Sequence, residues 1–513
     1  MSPGAIYPGS VITRDVEERP DVCIVGSGPG GSVLAAGLCA RGLRVVMLEE
    51  GGYHRRGDYS LHEEKAFPML YQEQGMRATA DAGITILQGR TVGGGSVVNW
   101  TTSFRTPKVT LDRWARVHGV KGLDEVALTP HWEAVEKRLG VHDFVDAHNG
   151  NNSVLVRGCE ALKFQVHATR RNTNNRCFNS GYCGFGCPVD GKNDMVVTYL
   201  PDAVAQGLKV YSNCRAERFE VEGGKVSVIT ATVIDDLTHQ PTGRTVTVRP
   251  KVLVLSGGAI NSPAILLRSG VNQNGQVGRR TFLHPVVAMA SVHAKPIEPY
   301  FGAPQSSASH HFIERGEGEV GFFIETAPIH PMLASGAFQG FGVPHEELMR
   351  QLPFSNVLLG LTRDGFVDGD EGGTVTVKAD GRPSVAYPIS AKLQEAFREA
   401  CKAMARIQFA AGATSVLTLT GVRLQSVDEL GKLDGLKYGV LDQPLFSAHQ
   451  MGGCAMGGDP ARSVVDSQLR HHTLPNLFVV DGSVFPTSLG VNPQQSIYGL
   501  SSYATGFVAQ AVG

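Results

Sequence analysis

The stretch "DVCIVGSGPGGSVLAAGLCARGLRVVMLEEGG", residues 21–52, limits the possible folds of this chain more than any other. An apolar run, Val22 to Val25, reads as a strand buried on both faces, as in a parallel sheet. Gly26, Gly28 and Gly31 follow in the G-x-G-x-x-G spacing, then an Ala- and Leu-rich helix to about Ala40, then a second apolar strand. Gly26 permits a tight turn, Gly28 lets backbone approach a pyrophosphate, and Gly31 lets helix and strand pack closely. The helix N-terminus adds free N–H groups and a partial positive charge. Glu49 lies about 18 residues beyond the last glycine, where an acid accepts bonds from a ribose diol. The order strand, turn, helix, strand, acid points to dinucleotide binding, but the spacing does not separate NAD from FAD.

The chain has 513 residues, more than one hydrophobic core usually supports, so two joined domains are expected. Its 47 basic and 48 acidic residues leave no basic excess for nucleic acid or anionic membrane. The first twenty residues have neither the charged nor the apolar region of a secretory signal, and no segment reads as a membrane span. Six of the nine cysteines are scattered singly, which fits a reducing compartment. A cytoplasmic location follows as the expectation, with peripheral membrane association left open.

A second glycine loop, "GRTVGGGSVVNW", Gly89 to Trp100, can lie flat against a ligand and aim N–H groups at it. "GKVSVITATVID" and "GRTVTVRPKVLVLSGGAINSPAILLRSG" read as a three-stranded meander whose last strand rejoins the parallel sheet. About 155 residues of mixed pattern, 285–440, precede "SAHQMGGC", which sets His449 in a glycine-rich loop.

Four ordered segments then resemble the glucose–methanol–choline (GMC) flavin oxidoreductases: "GSGPGG", "GRTVGGGSVVN", "GGAINSPAILLRSG" and "HQMGGCAMG…VVDGSVFPTSLGVNP". In the third, Asn272 stands where glycine is usual. "VGGGSVVNWTTSFRTP" and "CFNSGYCGFGCPVDGK" are most similar to the long-chain alcohol oxidase and bacterial alcohol dehydrogenase branch.

The resemblance implies an α/β fold, a Rossmann-like FAD-binding domain with a β-meander, plus a substrate domain on an antiparallel sheet covered by helices. The FAD domain would come in three parts, 18–110, 195–284 and 441–513. Residues 111–194 would form a cap with the cysteine loop, and 285–440 the substrate domain. Gly26, Ser27, Gly28 and Gly30 would meet the pyrophosphate and Glu49 the ribose. Arg90, Gly93, Gly94, Ser96 and Asn99 would wrap the ribityl and flavin. Asp481 and Gly482 would approach the ribityl, Asn492 and Pro493 the flavin edge. The second loop lacks the histidine that links FAD covalently in some relatives, so noncovalent FAD is expected.

Alcohol oxidation removes a hydride, which the flavin takes, and a hydroxyl proton, which needs a separate acceptor. An imidazole titrates near working pH. The resemblance assigns general-base catalysis to His449, one of 17 histidines, with Asn492 holding the hydroxyl. His284 and the pair His471–His472 read as structural or exposed. The implied reaction turns a small-molecule alcohol into an aldehyde or ketone, with oxygen or an electron carrier reoxidising the flavin. The alternatives are a sugar or sterol hydroxyl as substrate, or cyanohydrin cleavage by a lyase on the same fold.

Cys177, Cys183 and Cys187 crowd into eleven residues. Some sugar- and polyol-dehydrogenating relatives carry a three-iron cluster on such a loop, which makes an iron–sulfur centre here an expectation. The C-x₅-C-x₃-C spacing matches neither ferredoxin nor zinc patterns. The competing reading is a glycine-rich loop near the active site with buried thiols, or one local Cys183–Cys187 contact.

Overall fold

The computed structural model describes residues 4–513. A six-stranded, all-parallel sheet has the order Ala5–Tyr7, Lys209–Tyr211, β2 (Val45–Leu48), β1 (Val22–Val25), β3 (Val252–Leu255) and Leu477–Val479. All four residues of β1, of β2 and of β3 are buried, as strands covered on both faces require. Helix α1 (Pro29–Cys39) follows β1, α2 (Gly258–Arg268) follows β3, and the chain ends in Gln494–Val512. Gly37 of α1 lies against that last helix, where a Cβ would meet Thr505 Cγ2 at 2.7 Å.

Lys225–Ile234 and Pro241–Val248 pair antiparallel and β3 rejoins the parallel sheet as expected, but the third meander strand is Cys214–Glu222, ahead of the expected segments, and not β3. Val16–Glu18 adds a fourth, parallel strand that the sequence pattern does not show.

The second main sheet is the antiparallel one. Its strands run Arg423–Leu424, Ala413–Thr418, β4 (Val286–His293), β6 (Ser355–Thr362), β5 (Phe322–Thr326), Ser307–Ser309 and His167–Ala168. The long helix Ala391–Ala410 covers one face, capped by Ser390, whose side chain accepts from Leu393 N–H. Val287, Met289, Phe322, Ile324 and Leu358 pack on that side. By the two-residue period of strands, Val286, Ala288, Phe323, Leu359 and Leu361 point to the other. That other face looks toward the nucleotide domain.

Segment 285–440 does not belong wholly to this sheet. Its hairpin, Gly373–Val377 and Pro383–Ala386, pairs with Arg279–Phe282 and packs on α2. Conversely, Leu445–Ser447 and Ile84–Ile86 extend the antiparallel sheet from outside that segment.

Candidate active site

The turn after β1 leaves no room for side chains. Gly26 has φ +101°, and a Cβ there would meet Ser256 O at 2.3 Å. One at Gly30 would meet Val480 O at 2.0 Å, and one at Gly31 would meet Gly26 O at 2.0 Å. These glycines serve packing of turn, helix and strand. Gly28 differs: a Cβ there would meet only Gly94 Cα, at 3.8 Å, and a Cβ at Gly95 would meet nothing. Both border a cavity of about 520 Å³ lined by residues of every expected FAD segment. The helix N-termini at Gly28 and Pro493 open on this cavity, neither capped by its own side chain. Their free N–H groups suit a phosphate-bearing ligand. The cradle at Gly28 and Gly95, with these N-termini, fits an extended dinucleotide such as FAD.

Ten of the expected cofactor and flavin-edge residues line the cavity: Gly26, Gly28, Gly30, Glu49, Gly94, Asn99, Asp481, Gly482, Asn492 and Pro493. The Glu49 carboxylate accepts from Ser27 N–H (2.9 Å), Ser27 Oγ–H (2.7 Å) and Gly51 N–H (2.8 Å). Burial raises its pKa against the pull of these bonds. Asp481 accepts from Gly258 N–H (2.8 Å), Ser262 Oγ–H (2.6 Å) and Ser483 N–H (2.8 Å), so it caps the start of α2 from another segment.

The other four, Ser27, Arg90, Gly93 and Ser96, adjoin residues of the lining. Ser27 Oγ accepts from Gly93 N–H at 2.9 Å and so ties the second glycine loop to Glu49. Ser96 Oγ donates to Gly93 O and accepts from Met195 N–H. Arg90 reaches Glu50 at 3.5 Å and His239 Nδ1 at 2.8 Å. Arg268, not singled out from sequence, lines the cavity with a buried Nε that has no protein partner.

At the far end of the cavity lie His449 and Asn492, with His449 Nε2 and Asn492 Nδ2 3.5 Å apart. Trp100, Val98, Val286, Leu359, Leu361 and Phe446 make an apolar wall there. Burial pushes the His449 pKa down to about 4, so the ring is neutral at neutral pH. His284, fully buried, holds its other side, with the two Nδ1 atoms 3.3 Å apart. Gly490 N–H donates to His284 Nε2 at 3.1 Å. Burial keeps His284 neutral as well. Which nitrogen of each ring donates depends on its tautomer, and His449 Nε2 is the atom that faces Asn492 and the cavity.

Two polar side chains complete this end without any local sequence signal. Gln305 lines the cavity, and Glu325 on β5 accepts from Gln305 Nε2–H (2.8 Å) and Asn492 Nδ2–H (3.2 Å). His471 and His472 do not line the cavity, and bond to Thr473 and Ser463.

The three clustered cysteines border a void of about 20 Å³, room for about one water. Cys187 Sγ accepts from Gly191 and Lys192 N–H, Cys177 Sγ contacts Asn179 Oδ1, and burial pushes the Cys183 thiol up. No group of three or more His, Cys, Asp or Glu side chains among the described residues is placed to hold a metal ion. The expected iron–sulfur centre has no seat in this geometry. The glycine-rich thiol loop is what remains.

Comparison with known proteins agrees with the four sequence segments. Sequence-family models described as GMC oxidoreductase match residues 67–286 and 369–501. Long-chain-alcohol oxidase FAO3 of Arabidopsis thaliana is 30% identical over 93% of this chain and 66% of its own length. The chain thus spans about two thirds of that relative. The 2-methyl-1,2-propanediol dehydrogenase of Mycolicibacterium austroafricanum is 25% identical over 96% of each chain. Among solved structures, pyridoxine 4-oxidase from Mesorbium loti matches with TM-score 0.71 and 21% identity, covering 95% of this chain and 98% of that one.

Proposed function

Since the chain belongs to the GMC oxidoreductase family, we propose that it binds FAD and oxidises an apolar alcohol to the aldehyde or ketone. The observation that carries this reading is the pairing of His449 and Asn492 at the apolar end of the dinucleotide cavity. FAD, when bound, supplies the hydride acceptor.

The residues of the chain bind and orient. Gly26, Gly28 and Gly30 and the helix N-termini at Gly28 and Pro493 hold the dinucleotide, and the apolar wall surrounds the hydroxyl end. Asn492 Oδ1, buried and without a protein partner among the described residues, accepts the hydroxyl hydrogen as the alcohol binds. His449 Nε2, beside it, takes that proton as general base while the hydride leaves the carbon. The imidazolium so formed gives the proton to solvent once the product has left.

The wall of Val, Leu, Phe and Trp side chains favours a hydrocarbon substrate over a sugar. The similarity to long-chain-alcohol oxidases supports the same choice. Oxygen is the proposed reoxidant, again by that similarity. The test is anaerobic mixing of the FAD-loaded protein with straight-chain alcohols of increasing length, a sterol, a sugar and a cyanohydrin. Bleaching of the yellow flavin by the longer alcohols is expected. Cyanohydrin cleavage without bleaching would overturn the reading, and bleaching by the sugar alone would overturn the substrate class.

A further inference from the structure

We propose that Glu325 is a positioning residue that sets which end of the Asn492 amide meets the substrate hydroxyl. The proposal rests on the reading of His449 and Asn492 as the hydroxyl site.

Glu325 is fully buried on β5, an unusual place for a carboxyl. It pairs across the sheet with Leu359, which lines the cavity, and shares the cavity-side face of β5 with Phe323. Its Oε2 gathers the amide hydrogens of both Asn492 and Gln305, while Oε1 has no partner. Gln305 is itself fixed, because its Oε1 accepts from Thr102 Oγ1–H at 2.8 Å. An asparagine amide fits such a site in either orientation. A carboxylate only accepts, so it holds Asn492 Nδ2 inward and turns Oδ1 out to the hydroxyl.

The protonated acid behaves otherwise. Its O–H can donate to Asn492 Oδ1, and the reverse orientation then becomes available. No ion pair meets Glu325, and burial raises its pKa to about 8, so both forms are populated near working pH. On the 492 side the titratable neighbour is His449. On β5 the rings of His284 and His310 pack on Phe323, two residues from Glu325. Burial keeps all three imidazoles neutral, and β4 and β6 bring no charged side chain to this carboxyl. The orientation is therefore selected above pH 8 and mixed below it.

The experiment uses the FAD-loaded enzyme and the best alcohol from the series above, with flavin reduction followed by stopped flow across this pH range. In the unaltered protein KM should fall as pH rises through about 8. Glu325→Gln should raise KM about tenfold, with a smaller change in limiting rate, and should erase the pH step. Gln305→Met removes a bond that favours the carboxylate and should move the step to higher pH. An infrared titration needs no turnover: a carboxylic-acid band present at neutral pH should vanish above about 8 and be missing from Glu325→Gln. An unaltered KM and pH profile in Glu325→Gln would overturn the proposal, as would absence of the titrating band. Failure of every alcohol to bleach the flavin would instead remove the functional reading beneath it.

Discussion

His284 Nδ1 lies 3.3 Å from His449 Nδ1, and Gly490 N–H donates to the other ring nitrogen of His284. The backbone at His284 has φ +44°, in the left-handed region where few non-glycine residues sit. Asp364 holds it there by accepting from Leu283 and His284 N–H, and Tyr387 OH donates to the same carboxyl at 2.5 Å. The orientation of His284 is thus anchored on both sides. In ¹⁵N-histidine NMR of the FAD-loaded protein, His449 should show an unprotonated Nε2, the open lone pair that a general base needs. His284→Ala should convert part of the signal to the other tautomer. A dominant Nε2–H form in the unaltered protein would remove the general-base assignment.

His449→Ala should slow flavin reduction by about 10²- to 10⁴-fold, the usual loss when a general base is removed. FAD should remain bound, because the dinucleotide is held by the turn and helix N-termini. Stopped-flow bleaching with a saturating alcohol reads the effect. An unchanged rate would remove His449 from the reaction.

Acid precipitation should leave the flavin in a yellow supernatant. The second glycine loop, Gly89 to Trp100, has no histidine, and Gly94, Gly95 and Asn99 offer no nucleophile to the ring. Flavin that stays in the pellet would show a covalent link.

Gly28→Ala tests the cradle without disturbing the turn. The backbone at Gly28 has φ −67°, open to any residue, and a Cβ there would enter the cavity rather than another backbone. The variant should fold, with an FAD affinity lowered about tenfold, roughly 1.4 kcal/mol, read by fluorescence titration of the apoprotein. Gly30→Ala, whose Cβ would meet Val480 O at 2.0 Å, should instead lower the melting temperature.

Stability should fall as pH drops from about 6.5 to 4. Burial lowers the pKa values of His118, His293, His330, His449 and His471 to about 4. Each ring is neutral in the fold but takes up a proton near 6.5 when the chain unfolds, so acid favours the unfolded state in that window. Melting temperatures of the FAD-loaded protein across this range check the trend. A flat profile would show that these rings reach solvent.

The nucleotide half of the fold is written locally. From Val22 to Glu49 every element adjoins the next, so strand period, glycine spacing and the acid are visible within one window. Three-residue strands such as Ala5–Tyr7 and Val16–Glu18 are too short to show a period, and only their distant partners make them strands. His449 and Asn492 lie in glycine-rich turns that resemble a known family, and the structure brings them together. Glu325 and Gln305 have no such setting. Nothing near Glu325 in "GFFIETAP" distinguishes an active-site carboxyl from an edge-strand acid, because its partners are about 20 and 167 residues away. Ser27 and Arg90 stand out by motif position, while their bonds to Glu49 and His239 are made across 22 and 149 residues.

The last segment supplies an edge strand of the parallel sheet at Leu477–Val479, the Asp481 cap on α2, both residues of the hydroxyl site and a helix N-terminus at Pro493. Without this segment Gly30 lacks the Val480 carbonyl it packs against, and α2 lacks its cap. A chain truncated before residue 441 should therefore retain no flavin, however complete its glycine turn.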